Sequence, residues 1–293
     1  MIGILLGLSS AICFAIGAVF FKFGQRTRQV DNGLFVSIVL NVALLGAIAA
    51  ITTWPRWNAA GFIAFVIGGV IGTVGGRASN LKAIRQIGPS RANAFLTANP
   101  VVAAIAGWFV LRETLGLQEF VGGSMVILGL LLLIRSRSVA ATASGHPTPM
   151  AGYLWAIAAP TCFGLAFVVR KWGLARYPGP VIGAFIGVAA ALLLVSALEA
   201  RTGRLSTTVR SNIKTVSWWY VGAGVFTSLA LLAQFAAFTY LPAWVVGILQ
   251  GTQGMWTLIL AWIFLRREER IDRALVGTVL LVMVGVTLIG LEV

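Results

Sequence analysis

The chain has 293 residues, of which 59% are hydrophobic and only 10% are charged. A soluble domain carries about 25% charged residues, so this chain has too little polar surface for a water-soluble protein. Its net charge of +14 comes from 22 Lys and Arg against 8 Asp and Glu. The basic residues lie between apolar stretches and form no single face, which disfavours a nucleic-acid partner and indicates topology signals beside a membrane.

Apolar stretches of about 20 residues, the length that a helix needs to cross a bilayer, recur along the chain. They lack the alternation of a membrane β-strand, and helices are the other structure that satisfies the backbone in lipid. We therefore predict an all-α integral membrane protein with ten transmembrane helices. The predicted spans are 2–24, 32–52, 60–80, 90–111, 117–134, 151–172, 180–199, 217–239, 242–265 and 273–291.

The two halves of the chain repeat each other. Residues 3–24 align with residues 152–173 at a constant offset of 149, and seven of the 22 aligned positions are identical. Each half holds five predicted spans, an odd number, so the second half should enter the membrane in the opposite direction. Inverted repeats of this kind place a substrate site near the midplane, between the halves. The predicted organisation is a first five-helix repeat, a linker and a second repeat, at 1–134, 135–150 and 151–291.

The basic residues also predict the orientation. Connections after odd-numbered spans contain 17 Lys and Arg, and those after even-numbered spans contain 5. The positive-inside rule therefore predicts cytoplasmic odd connections, with both termini outside. We expect a multi-pass protein of the bacterial inner membrane.

Short motifs in each half resemble those of a known family. The fourth span contains Asn99–Val101 and leads to Leu111–Glu113, and the second half offers Gln253–Gly254 and Leu265–Glu268. With its two five-helix repeats, the chain resembles the EamA-type carriers of the drug/metabolite transporter superfamily. It is similar within them to the YddG-type exporters of aromatic and apolar amino acids. The resemblance implies an exporter of small metabolites, with amino acids as the first expectation.

Carboxylates are absent from the interiors of the predicted spans. The eight acids lie at or beyond the span ends, and the only histidine, His146, lies in the linker. Proton relays and cation sites normally use an intramembrane Asp, Glu or His. We therefore predict a facilitator without proton coupling, which works by alternating access around a central cavity.

Arg77 follows a run of glycines in the third span. If the helix continues past it, its guanidinium lies within the membrane and is placed to clamp a substrate carboxylate. If the span ends at Gly76, the side chain instead extends to the interface. Asn80, one turn on, shares the face of Arg77 in either case.

Amide side chains near the midplane form a second group of candidates. Asn99 aligns with Gln253 at an offset of 154, and each lies halfway along its predicted span. Pro100 should free the carbonyl of Leu96 inside the helix. Such amides either line a cavity or hold neighbouring helices together. The remaining candidates are Asn93, Gln234, Gln250 and the aromatic Trp256.

The main alternative is a carrier of drugs, sugar phosphates or nucleotide derivatives. A phosphate carrier should present several deep basic residues that converge, and Arg77 alone meets that description. An enzyme is disfavoured because the predicted spans hold no metal-ligand cluster, acid pair or Ser-His arrangement. We therefore expect no catalytic residue, metal or cofactor. The expected partners of this monomeric carrier are a small-molecule substrate and membrane lipid.

Overall fold

The computed structural model describes most of both halves of the chain. It covers residues 1–27, 33–88, 92, 95–112, 121, 124–125, 128, 150–203, 217–264, 276–277, 280–281 and 283–284. All regular structure within these ranges is helical. The predicted linker (apart from Met150) and most of the predicted fifth and tenth spans lie outside the described residues. The count of ten helices therefore stays a prediction.

The described helices follow the predicted spans closely. Their bounds are α1 Ile2–Thr27, α2 Gly33–Ile51, α3 Ala59–Gly69, α4 Ala78–Ile87, α5 Asn99–Leu111, α6 Met150–Arg176, α7 Pro180–Arg201, α8 Trp218–Tyr240, α9 Ala243–Gly251 and α10 Gln253–Phe264. Among the described residues, five helical stretches are long and apolar enough to cross a bilayer: Ile2–Gly24, Ala59–Ile87, Met150–Arg176, Pro180–Arg201 and Trp218–Tyr240.

The third span is longer than the sequence predicts. A π-helical segment, Val70–Arg77, joins α3 to α4 and makes one continuous helix, Ala59–Ile87. Short π-helical insertions are rare and often mark functional sites. Arg77 lies ten residues before the end of this helix, or about 15 Å along its axis at 1.5 Å per residue. The span therefore does not end at Gly76.

Pro100 lies in the first turn of α5, and the prediction that it frees the carbonyl of Leu96 is wrong. A 3₁₀ turn, Leu96–Ala98, precedes the helix, and the Asn99 N–H donates to the Leu96 carbonyl. Proline is favoured in a first turn because the N–H it lacks would have no partner within the helix.

Thr252 interrupts the predicted ninth span. α9 ends at Gly251 and α10 begins at Gln253, while the Thr252 hydroxyl donates to the Leu249 carbonyl at 2.6 Å. Glycines at 251 and 254 weaken the helix on both sides of the break. Gln253 is therefore the first residue after a break in the helix.

α1 and α8 pack against each other in antiparallel directions. Gly3, near the start of α1, lies against Leu241, just past the end of α8. Gly24, near the end of α1, lies against Tyr220 at the start of α8, where a Cβ would fall 2.6 Å from the tyrosine ring. Glycine at both ends therefore allows close contact along the whole of α1.

The helix Ala59–Ile87 is antiparallel to α6. Gly61 lies against Tyr177, just past the end of α6, and Gly152 near the start of α6 lies against Ile87. The same helix is also antiparallel to α8, since its residues 65 and 77 contact residues 235 and 227 of α8. These pairings make α1 and α6 run in opposite directions, although their sequences align.

Two apolar clusters fill the two ends of the bundle. The larger includes the buried Phe65, Tyr177 and Phe235, at the end where α6 stops and α7 begins. The smaller includes Phe21 and Tyr220, at the end where α1 stops and α8 begins. The central region between these clusters holds the polar side chains described next.

Candidate functional site

A cavity lies at the centre of the bundle. Its walls come from α1, the helix Ala59–Ile87, the start of α5, α6, α8, α9 and α10. The polar lining residues are Thr73, Arg77, Asn80, Asn99, Arg170, Thr227, Gln234, Gln250 and Gln253.

Most of the residues predicted from the sequence meet in this cavity. Six of the eight candidates line it: Arg77, Asn80, Asn99, Gln234, Gln250 and Gln253. Asn93 lies outside the described residues. Trp256 is half-buried and does not belong to the described lining, and its buried indole N–H has no hydrogen-bond partner among the described residues.

Arg77 reaches the cavity from the π-helical segment and is held by two helices. Its Nη2 donates to the Thr227 hydroxyl at 3.3 Å. The Asn41 amide, oriented by its hydrogen-bond network, places its oxygen 3.0 Å from Arg77 Nη1. The amide nitrogen of Asn41 then donates to the Ser228 hydroxyl at 2.8 Å. The guanidinium is therefore fixed by α2 and α8 and does not extend to the interface.

Arg170 is a second cavity arginine, which the sequence analysis missed. Its position beside Lys171, near the end of the sixth predicted span, reads as a topology signal, but only 3% of its surface is exposed. Its Nη1 donates to Gln234 Oε1 at 2.9 Å, and its guanidinium carbon lies 5.3 Å from the centroid of the Phe235 ring. The expectation that Arg77 is the one deep basic residue is therefore wrong.

A glycine stripe makes room for the side chains of α6. A Cβ on Gly68 would fall 2.9 Å from Arg170 Cγ, and one on Gly72 would fall 2.5 Å from Arg170 Nη2. Gly76 faces the ring of Phe163 in the same way. The spacing of four residues between Gly68, Gly72 and Gly76 therefore makes room for the Arg170 side chain and also allows close helix packing.

The position of Arg170 on its helix was a signal in the sequence. Arg170 lies seven residues after Phe163 and three residues after Phe167, so all three share one face of α6. The aligned positions of α1 line the cavity too, and they are Phe14, Ala18 and Phe21. Aligning the two repeats by helix face as well as by identity would have placed Arg170 inside.

Two of the amides differ in their contacts. Gln250 Nε2 donates to the Ser10 hydroxyl, which donates to the Ala230 carbonyl at 2.7 Å, so Gln250 connects α9 to α1 and α8. Asn99 is 3% exposed, and its Oδ1 is buried without a hydrogen-bond partner among the described residues. A buried acceptor without a partner is costly unless a ligand or water satisfies it.

The described lining carries two guanidinium groups and no carboxylate. Both arginines sit where charge is costly, because surrounding apolar groups replace water. The apolar lining includes Phe14, Phe21 and Phe163. Such a chamber suits a small organic solute that has an apolar body and an anionic group.

The comparisons with known proteins agree with this architecture. Residues 1–135 and 150–291 each match the EamA-like transporter family. Two proteins of Archaeoglobus fulgidus, both named uncharacterized transporters, are similar to the chain. One is 22% identical over 99% of this chain and 98% of its own length, and the other is 29% identical over 41% of this chain and 45% of its own length.

One solved crystal structure has a similar fold. It superposes with a TM-score of 0.65, covering 98% of this chain and 95% of its own at 15% identity, which supports the fold alone. The family match covers nearly all of the chain and accords with the apolar helices. The chain is therefore a multi-pass membrane transporter that belongs to the EamA-like transporter family.

Proposed function

We propose that this transporter carries small carboxylate-bearing metabolites, with amino acids as the first class to test. The observation that supports the proposal most is the Arg77 guanidinium in a cavity whose described lining has no acid. Arginine has five N–H donors in a rigid fork that suits carboxylates. Asn41 and Thr227 account for one contact at each terminal nitrogen, so donors remain for a substrate.

The amides supply a place for the other polar end of an amino acid. Asn99 Oδ1 is an unsatisfied acceptor in the same lining, suited to an α-ammonium group. Phe14 and Phe163, on the aligned faces of α1 and α6, offer apolar surface to a side chain. This arrangement favours a substrate with a carboxylate, a hydrogen-bond donor and an apolar body.

We propose that the two halves act as inverted repeats and expose the cavity to each side in turn. The opposite directions of α1 and α6 support this proposal, as do the helix break at Thr252 and the π-helical segment Val70–Arg77. Small rotations of packed helices need such weak points in regular structure. The orientation with cytoplasmic odd connections and an outward transport direction belong to the same proposal.

We further propose that transport is not coupled to protons. The described lining offers arginines and amides, which do not exchange protons near neutral pH. Substrate would then move down its own gradient.

Counterflow into proteoliposomes tests the proposal. The purified protein is reconstituted without a pH gradient, the vesicles are loaded with unlabelled solute, and uptake of labelled Leu, Phe, Met or Thr is measured. We expect saturable counterflow for at least one of these amino acids and much weaker counterflow for its carboxamide. Equal uptake of the acid and the amide would contradict a carboxylate site.

The presence of Arg170 in the cavity bears on the alternatives of a drug carrier and a phosphate carrier. Two guanidiniums in one chamber oppose a cationic drug. Their hydrogen-bond partners on α8, Thr227 and Gln234, are seven residues apart. This anchoring at two levels of α8 disfavours the convergence of both guanidiniums on one phosphate. The geometry therefore favours carboxylates over both alternatives.

A further inference from the structure

We infer that the cavity selects solutes with two carboxylates, one bound by Arg77 and the other by Arg170. This inference rests on the proposed function and narrows its substrate class. It covers acidic amino acids and short dicarboxylic acids, which share the two anionic ends.

The spacing of the two arginines supports two anionic groups in one solute. Arg77 donates to Thr227 and Arg170 donates to Gln234, and these partners lie on one face of α8. Seven residues are two helical turns, or about 10.5 Å along the axis. The two guanidiniums are therefore anchored to α8 at partners about 10 Å apart along its axis. Two carboxylates separated by a few carbon atoms can span such a gap when each accepts from one guanidinium.

Arg170 has hydrogen-bonding capacity that the described residues do not use. Its Nε is buried without a partner among them, although 97% of the residue is removed from solvent. Its Nη2 lies against Gly72, where no side chain separates it from the neighbouring helix. A carboxylate here would neutralise the charge of the guanidinium and accept a hydrogen bond from its unused N–H. The neutral amide of Gln234 accepts from one N–H only and leaves the charge uncompensated.

The walls between the arginines suit a short carbon chain. Phe163 and Phe167 precede Arg170 on the same face of α6 and line the cavity. Methylene groups between the carboxylates would pack on these rings. Asn99 Oδ1 would accept from the ammonium of an acidic amino acid, whereas a plain dicarboxylic acid would leave it to water.

Matched ligand pairs test the inference on the unmodified protein. Glutarate is compared with its monoamide, and glutamate with glutamine, as unlabelled competitors or exchange partners in counterflow and as ligands in thermal unfolding. We expect half-saturation at concentrations roughly 10- to 100-fold lower for the diacid of at least one pair, the effect of one charge-assisted contact. If only glutamate binds more tightly than its amide, the site is assigned to acidic amino acids. If only glutarate binds more tightly than its monoamide, the site is assigned to plain diacids.

Variants on one helix identify the residue responsible. Arg170→Gln should reduce the preference for the diacid over its monoamide to near one. Arg176→Gln is the matched control, because Arg176 is exposed on the same helix and stacks on Trp172 at 3.5 Å. It should keep the preference. If Arg170→Gln does not fold, the ligand pairs on the unmodified protein decide alone.

The possible failures are distinguishable. Equal binding of diacids and monoamides, together with counterflow of monocarboxylates, would overturn the inference and leave the proposed function standing. Absence of counterflow for every carboxylate solute would overturn both. A diacid preference that survives Arg170→Gln would also overturn the assignment of the second carboxylate to Arg170.

Discussion

The Arg77 guanidinium combines burial in the bundle with a fixed direction. Asn41 and Thr227 hold its terminal nitrogens from two different helices. A substrate carboxylate would therefore meet a pre-organised fork and would not have to order a flexible side chain. Binding of the substrate carboxylate therefore depends on the fixed position of Arg77 and not only on the positive charge of the cavity.

We expect Arg77→Gln to raise the half-saturation concentration of carboxylate substrates by roughly 10- to 100-fold, because one charge-assisted contact is lost. Transport of the corresponding amides should change much less. Arg85→Gln is the matched control, since Arg85 is exposed on the same helix. Competition counterflow with acid and amide pairs measures the difference, and equal losses for both would assign Arg77 to structure alone.

Asn99 and Gln250 should respond differently to replacement by Leu. Gln250 bonds to Ser10, so Gln250→Leu should lower stability by about 1 kcal/mol, the usual value for a hydrogen bond between membrane helices. Asn99 Oδ1 has no described partner, so Asn99→Leu should impair transport and leave stability nearly unchanged. Thermal unfolding and counterflow on both variants separate the two roles. A large loss of stability in Asn99→Leu would contradict this assignment.

At the residue scale, composition and alignment predict the amides better than the basic residues. Asn99 and Gln253 stand out because polar groups are rare in apolar spans, and both line the cavity. Arg170 does not stand out because it lies near a predicted span end beside Lys171, where a basic residue reads as a topology signal. The packing of α6 against the glycine stripe shows that its side chain turns inward.

At the scale of elements, the glycines of α3 set how closely its neighbours approach. The backbones of Gly69 on α3 and Gly187 on α7 are in direct contact, and a Cβ on Gly69 would overlap Gly187. Backbone cannot move aside as a flexible side chain does, so the two helices would have to separate.

Gly69→Ala should therefore destabilise the protein by about 1–3 kcal/mol, the range for overpacking in a close-packed interior. Gly277→Ala is the control, because no described atom lies within 4 Å of a Cβ at that position. Thermal unfolding in detergent measures both. An unchanged midpoint for Gly69→Ala would contradict the contact between α3 and α7.

The sequence predicts where helices occur but not their internal irregularities. Apolar length locates the described spans to within a few residues at most ends, because lipid requires continuous helices. The π-helical segment Val70–Arg77 and the break at Thr252 depend on packing between helices. Glycines mark these regions as weak, yet they do not specify which irregularity forms. The end of the third helix is missed by seven residues because Lys82 and Arg85 suggest an interface.

At the scale of the whole molecule, the repeat in the sequence accounts for the opposite directions of α1 and α6. The predicted count of five spans per half would produce this geometry, but the predicted fifth and tenth spans lie largely outside the described residues. The cavity could be expected between the halves from the repeat alone. The acid-free described lining follows from the absence of carboxylates inside the predicted spans. The pairing of Arg77 with Arg170 does not follow from the repeat alone, because it depends on which face of each helix turns inward.

Transport should be nearly independent of pH. The groups of the described lining that bear charge are guanidiniums, which stay protonated between about pH 6 and pH 8. We expect counterflow of a fully ionised substrate to change less than about twofold over that range, which is under 0.5 kcal/mol. A protonophore should leave it unchanged. Counterflow that collapses on adding the protonophore would contradict the facilitator proposal.

Access to the cavity from both sides tests the central proposal of alternating access most directly. Ala18 lines the cavity, so Ala18→Cys places a small reactive group there, in a background where Cys13 and Cys162 are replaced by Ala. A membrane-impermeant thiol reagent is applied to one face or the other of oriented vesicles, with and without substrate. We predict modification from both faces and protection by a transported substrate. Modification from one face only, unaffected by substrate, would contradict a carrier that opens its cavity to each side in turn.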